Sequence, residues 1–350
     1  MSKRHSPTRA ACRGVAPAKP AAGFTLIELM VAMVLGLIVV GGVVSVFLAN
    51  QRTYRTNQAL GDVQDGSRLA FELMARDIRE AGLTGCNNNG RVANVLNNQS
   101  TAWWADWGNA VHGYGVGTAT ADPALTVGTA ATNQVGGTDS LQLIGAADSG
   151  LSVAATPSST AANFKLNDKT SDIVTGDVVI VCDPDHAAIA QVTSYNSSNV
   201  TLVHNAGGST VPGNCSKGLA FPTNCASPNG NGYAFGPNSQ IFKLGAVDWY
   251  IGYNPLGGKS LYRVNVVTTA GAPTPTAQEM VRDVTGMVIS YHQAGVASFV
   301  DAKTVAANWG AVDSVRVQLT VESVDKRAGT DTKPITRQFS ATTTVRNRVP

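Results

Sequence analysis

The sequence predicts an α+β protein: one long N-terminal helix, membrane-spanning in its first half and amphipathic in its second, packed on a mainly antiparallel β-sheet head. Three observations carry this expectation. Residues 24–49 are almost uninterruptedly apolar, residues 60–81 repeat apolar side chains at helical spacing, and beyond Gly85 short strand-like runs alternate with Gly, Asn, Pro and Ser. A chain of 350 residues with 43% hydrophobic and 14% charged side chains can bury a sizeable core. Its composition argues against both disorder and a polytopic membrane protein.

The first element is a basic leader, residues 1–23, with Lys3, Arg4, Arg9, Arg13 and Lys19 and no acid. It accounts for the whole positive balance of +3, because the rest of the chain holds 21 basic against 23 acidic residues, a net of −2. Between Arg91 and Lys165 there is no Lys or Arg at all. No nucleic-acid partner is expected, since tracking phosphates requires clustered cations.

From Phe24 to Ala49 only Thr25, Glu28 and Ser45 break the apolar run. As a helix it extends about 39 Å, enough to cross a bilayer. The positive-inside rule then puts the leader in the cytoplasm and everything after Asn50 outside. A secretory signal carries its small-residue cleavage site after the apolar core, whereas here Ala21, Ala22 and Gly23 precede it.

The run Gly23-Phe24-Thr25-Leu26-Ile27-Glu28, behind a basic leader and ahead of an apolar helix, resembles the type IV prepilin signature. The resemblance implies that a membrane-embedded prepilin peptidase cuts between Gly23 and Phe24 and that Phe24 is then N-methylated. It also implies that Glu28 offsets the N-terminal ammonium of a neighbouring subunit and sets helix register in a fibre. A carboxylate in an apolar span costs about 2.5 to 3.5 kcal/mol by insertion scales, so a partner is expected. The plainer alternative is a glutamate resting at headgroup level.

Past the apolar run, Leu60, Val63, Ala70, Phe71, Met74, Ile78 and Ala81 recur at spacings of three, four and seven. One helix is therefore expected from Phe24 to about Ala81, stopped by Gly82. The resulting divisions are leader 1–23, membrane and assembly helix 24–49, amphipathic helix 50–82, and a β-rich head 83–350. Strands are expected at 140–144, 177–181, 187–193, 200–204, 241–244, 247–253, 261–266 and 287–291. The clearest is near the end: Val315, Val317, Leu319 and Val321 alternate with polar residues, and a last strand at 335–345 pairs with it across a polar turn at 326–332.

Residues 176–193 (GDVVIVCDPDHAAIAQVT), 277–292 (AQEMVRDVTGMVISYH) and 337–350 (RQFSATTTVRNRVP) resemble the PilW family of minor type IV pilins. Residues 92–139 and 206–238 match no part of that pattern and are expected to include surface loops. The resemblance implies a minor pilin that helps initiate pilus assembly with other minor pilins and the major pilin. It would pass the inner membrane once before assembly and occupy the periplasm and the cell-surface pilus afterwards. A J-type pseudopilin of type II secretion shares this N-terminus, but such proteins are smaller than the 327 residues that remain when 23 are removed from 350. A third reading is a pilus-borne binding module in which Trp103, Trp104 and Trp107 stack on a sugar or partner surface. The same tryptophans serve equally well as anchors of a loop on its own sheet.

Cys12 lies in the leader, leaving Cys86, Cys182, Cys215 and Cys225 in the exported part. Four cysteines in an oxidising compartment point to two disulfides, with three pairings open. Closeness in sequence favours Cys215 with Cys225, and Cys86 with Cys182 then ties the helix exit to the sheet. Asp183, Asp185 and His186 form a compact polar cluster, either a metal ligand set or a Cys-Asp-Pro-Asp turn between two strands. The turn is favoured. There is no zinc-ligand spacing, phosphate loop or nucleophile elbow. A structural protein with no enzyme activity, cofactor or metal is expected.

Overall fold

A computed structural model of the chain, which describes residues 23–86, 91–155 and 157–348, begins with a helix of 55 residues, α1 (Leu26–Glu80). Cys12 and the rest of the leader through Ala22 lie outside the described residues. Contacts divide the chain into two units, Met1–Tyr54 and Arg55–Pro350. In the first, every described residue is exposed, and the helix is long and apolar enough to cross a membrane. Its few polar side chains are satisfied locally. Ser45 Oγ donates to Gly41 O at 2.5 Å and Thr53 Oγ1 to Ala49 O at 3.1 Å, so neither hydroxyl needs a partner from outside the helix.

The second unit opens on the rest of α1, whose buried stripe is Ala59, Val63, Ser67, Ala70, Met74 and Ile78. Steps of four and three keep these on one face. Leu60 and Phe71, expected in this stripe, lie half-buried on its flanks, and the small Ala59 and Ser67 occupy the centre instead. Fourteen strands follow among the described residues: β1 (Val92–Asn94), β2 (Val111–Tyr114), β3 (Ser140–Ala155), β4 (Asn163–Leu166), β5 (Val178–Cys182), β6 (Ala187–Gln191), β7 (Ser194–Asn196), β8 (Thr201–Val203), β9 (Gln240–Tyr253), β10 (Lys259–Thr269), β11 (Ala272–Arg282), β12 (Val284–Gln293), β13 (Val312–Glu322) and β14 (Thr336–Thr344). The chain is thus α+β, as its sequence predicts.

Eleven strands form one sheet in the order β1-β6-β5-β9-β3-β4-β8-β7, with β10 and β11 branching from β9 and β2 from β3. Strands β12, β13 and β14 form a second sheet. Every pairing but β1 with β6 is antiparallel. Strand β9 is the hinge of the larger sheet. One edge pairs with β3 from Gln240 to Trp249, while the other pairs first with β5 and then, from Val247, with β10. Where β5 and β10 part, a cleft of about 290 Å³ opens, walled by Trp104, Val266 and the Lys243–Asp177 ion pair (2.9 Å).

The stripe of α1 packs into a core shared by both sheets, with Leu141, Leu143, Trp249 and Ile251 from the first and Met287, Ile289, Val317 and Leu319 from the second. Burial on β13 alternates as the sequence pattern requires. A separate core of Val153, Phe164, Leu166, Val179, Val181, Leu202 and Phe235 fills the part of the head that α1 does not reach.

Two departures from the sequence expectation have simple causes. The runs at 241–244 and 247–253 are one strand, because Gly245 pairs with Gly145 and the ladder continues through both glycines. A Cβ on Gly145 would sit 2.5 Å from Glu80 O, so only glycine admits the end of α1 there. Strand β11 was not expected, since Pro273 and Pro275 lie within it. Among the described residues it pairs only with β10, and an edge strand tolerates residues that lack an N–H.

Candidate processing and assembly site

The functional residues expected from the sequence cluster at the start of α1. Phe24 is 90% exposed, and nothing lies within 4 Å of a Cβ built on Gly23. The Gly23–Phe24 bond is therefore reachable by another protein. Glu28 is exposed and closes a capping box with Thr25: its Oε2 accepts from Thr25 N–H and Oγ1, each at 3.0 Å, and Glu28 N–H donates to Thr25 Oγ1 at 3.2 Å. Thr25 is the N-cap and Glu28 the third helical residue, the arrangement that satisfies two donors at a helix start. The sequence reading set an intermolecular role for Glu28 against a bystander at headgroup level and missed the cap, although a threonine followed three residues later by a glutamate already carried that signal.

At the other end of the helix, Gly82 turns the chain with φ of +73° and donates its N–H to Ile144 O at 2.7 Å. Asn347 Nδ2 donates to Gly82 O at 2.7 Å, so the end of the chain closes over the exit of α1. Four residues on, Cys86 is bonded to Cys182 at the end of β5, with Cα atoms 5.9 Å apart. Cys215 is bonded to Cys225, closing a ten-residue separation within the 206–238 segment. The first bond fixes the segment after the helix to the larger sheet.

A three-bond polar link between α1 and the larger sheet is centred on Asp77. Its Oδ2 accepts from Trp249 Nε1 at 2.9 Å and from Arg263 Nε at 2.7 Å, and its Oδ1 from Arg263 Nη2 at 3.1 Å. Arg263 also lies over the Trp249 ring, 5.8 Å from its centroid. Trp249 and Arg263 face each other across β9 and β10.

The opposite face of the sheet carries a polar row between two apolar clusters, Ile144 with Ala246 and Tyr250 with Tyr262. His112, Gln142 and Asp248 stand in one cross-strand row on β2, β3 and β9. Asp122, from the loop that covers them, accepts from Gln142 Nε2 at 2.7 Å, from Ala124 N–H at 2.9 Å and from Ser140 Oγ. Asp248 is fully buried and neither of its oxygens has a hydrogen-bond partner. Burial, reinforced by the charge of Asp122, pushes its pKa well above the usual carboxylate value. Held as the acid, Asp248 can donate a proton toward Asp122.

A group that keeps its proton in the fold but loses it near pH 4 when unfolded favours the native state at low pH. That contribution is lost as pH rises above about 4 through the folded value. Buried His204 acts in the opposite sense. Desolvation lowers its pKa to about 4, so it destabilises the fold progressively as pH falls from about 6.5. The two limbs overlap and mask each other in the parent protein. Asp248→Asn removes one of them and is expected to raise unfolding free energy at pH 7.5 by about 1 to 2 kcal/mol, with no gain near pH 4. Urea unfolding at both pH values checks it, and an equal change at both would mean that titration is not the cause.

The cluster of Asp183, Asp185 and His186 forms the turn between β5 and β6. Asp183 Oδ1 accepts from the N–H groups of Asp185 (2.9 Å) and His186 (2.8 Å), and its Oδ2 from Tyr233 Oη (2.8 Å). His186 stacks on Tyr233 and its Nε2 meets Leu219 O at 2.8 Å, while Asp185 pairs with Arg91. These side chains are spent on holding the turn and the 206–238 segment. No group of three or more His, Cys, Asp or Glu that could hold a metal occurs among the described residues.

Comparison with known proteins gives one result. Residues 19–44 match the prokaryotic N-terminal methylation motif, so the chain has the N-terminus of a type IV pilin-like protein of the kind prepilin peptidase processes. No curated protein and no solved structure matches the chain.

Proposed function

We propose that the chain is a minor pilin of the PilW family, a structural protein that helps to prime assembly of a type IV pilus and is built into it. In this reading prepilin peptidase removes residues 1–23 on the cytoplasmic side and Phe24 becomes the N-methylated first residue. Residues 24–49 hold the protein in the inner membrane until the helix passes into the fibre, and the β-rich head faces the periplasm and later the cell surface. There Glu28 leaves its capping box in part, offering a carboxylate oxygen to the N-terminal ammonium of a neighbouring subunit. The head presents itself to other minor pilins and to the major pilin.

The observation that carries the reading is the methylation motif at residues 19–44, running into a helix whose apolar surface is exposed from Phe24 to Leu48 in the isolated chain. So much exposed apolar surface on one helix calls for lipid or for neighbouring helices. Mass spectrometry of protein recovered from sheared pili is expected to find N-methylated Phe24 as residue one. An intact leader in the fibre, or an N-terminus after Ala49, overturns the reading. A type II secretion pseudopilin gives the same N-terminus, so deletion of the gene separates the two. Loss of pili with normal secretion supports the pilin, and lost secretion with normal pili supports the pseudopilin.

A further inference from the structure

A second cleft of about 160 Å³ lies over the polar row of the larger sheet, beside the edge strand β2. Its walls include Trp103, His112 and Tyr114, with Gln142 beneath and Ser100, Asp106 and Asn109 at the rim. The aromatic wall is rigid. The His112 ring is held between Tyr114 and Trp309, with centroids 4.6 Å away on either side. Gln142 is fixed from below by Asp122. Asp106 Oδ2 accepts from Asn109 Nδ2 at 2.7 Å, which locks acid and amide into one unit.

This arrangement leaves unused capacity facing the cleft. Asp106 Oδ1, Asn109 Oδ1, Ser100 Oγ and both ring nitrogens of His112 make no hydrogen bond among the described residues, and no Lys or Arg lines the space. The lack of a cation disfavours an anionic ligand. The volume falls below the roughly 300 Å³ at which drug-sized pockets begin, which limits the ligand to about one ring. A pyranose offers an apolar face of C–H groups that suits an aromatic wall. Its adjacent hydroxyls are each donor and acceptor, and an acid–amide pair with open oxygens can engage two of them together. Neutral polar groups outnumber the single rim carboxylate, which favours a polyhydroxylated ligand over an amine.

From this geometry we propose that the cleft binds one neutral hexopyranose, with Trp103 as the stacking platform and Asp106 with Asn109 as the hydroxyl-binding pair. The proposal concerns the head alone and does not depend on the assembly role. Saturation-transfer NMR on the full chain, in a sugar-free detergent such as lauryldimethylamine oxide, tests it. The probes are glucose, galactose, mannose and their methyl glycosides, with putrescine as the amine control.

Saturable transfer from at least one hexose is expected, weakened about tenfold or more in Asp106→Asn and lost in Trp103→Ala. Binding of the methyl glycoside as well assigns the terminal sugar of a glycan, and binding of the free sugar alone assigns a soluble hexose. Trp103 also packs against Tyr250, Tyr262 and Val264, so if Trp103→Ala fails to fold, Asp106→Asn decides. No saturable hexose binding, hexose binding unchanged in Asp106→Asn, or saturation by putrescine alone overturns the proposal.

Discussion

Replacing Glu28 with Gln is expected to leave insertion into the inner membrane intact or improved while removing most of the protein from sheared pili. The substitution isolates charge from structure. Glutamine fills the third position of a capping box as glutamate does, so the helix start that Glu28 shares with Thr25 is retained. The negative charge, costly within a bilayer, is what disappears. In the proposed fibre pairing, a neighbouring N-terminal ammonium would then lie in a packed, low-dielectric interface without its counter-charge, a loss on the order of 3 kcal/mol for a pair broken on one side.

That is a change of more than a hundredfold in the assembly equilibrium, roughly. Glu28→Val removes the capping acceptor as well, so its loss from pili is expected to be at least as large, while insertion, relieved of the charge, is again no worse. Immunoblots of membrane and sheared fractions read the result. Reduced insertion with normal incorporation into pili would contradict the assigned role. A mild loss would place the subunit where none sits ahead of it.

What the sequence disclosed follows from how local each signal is. The residues proposed for processing and assembly lie within six consecutive positions, and a basic stretch beside an apolar run needs no tertiary structure to be read. The buried face of α1 and the alternation of β13 were legible for a similar reason: a helix or strand prints its period on the chain. The centre of the helix stripe was misplaced by one position at Leu60, because the period marks a face while the opposing surface decides which residue sits deepest. That surface is built from segments far away in sequence, such as Ala328 and Ile335 against Ala59, and it admits small Ala59 and Ser67 where larger side chains were expected.

Other features could not be read at all. Asp122 and Asp248 meet only because the loop before β3 folds back over the sheet, and each alone looks like an ordinary surface acid. The unpredicted strand β11 was hidden by prolines that only its edge position makes harmless. The tryptophans of the 92–139 segment were ambiguous in the sequence, and the structure divides them: Trp104 is buried while Trp103 stays partly open beside Asp106.

Asp77→Ala is expected to be the most destabilising single substitution at a polar residue of α1, costing about 3 kcal/mol. Asp77 accepts from the buried Trp249 indole and twice from Arg263, so its removal leaves three N–H donors on two side chains without that acceptor. The indole N–H belongs to a fully buried side chain, whose desolvation is not recovered when the acceptor goes. Arg263 is about a quarter exposed and regains some water, which keeps the loss below that of a fully buried pair.

Asp77→Asn preserves an acceptor for Trp249 but not the charge facing Arg263, so about half the effect is expected. Arg263→Met, which keeps the aliphatic packing over Trp249, tests the pair from the other side. In a double-mutant cycle Asp77→Asn and Arg263→Met should couple by about 1 kcal/mol or more, because each removes the same ion pair. Urea unfolding of the full chain in detergent gives all four values. Additive losses would mean that Asp77 acts through Trp249 alone, and a cost for Asp77→Ala under about 0.5 kcal/mol, typical of a surface substitution, would remove it from the contacts that fix α1 on the sheet.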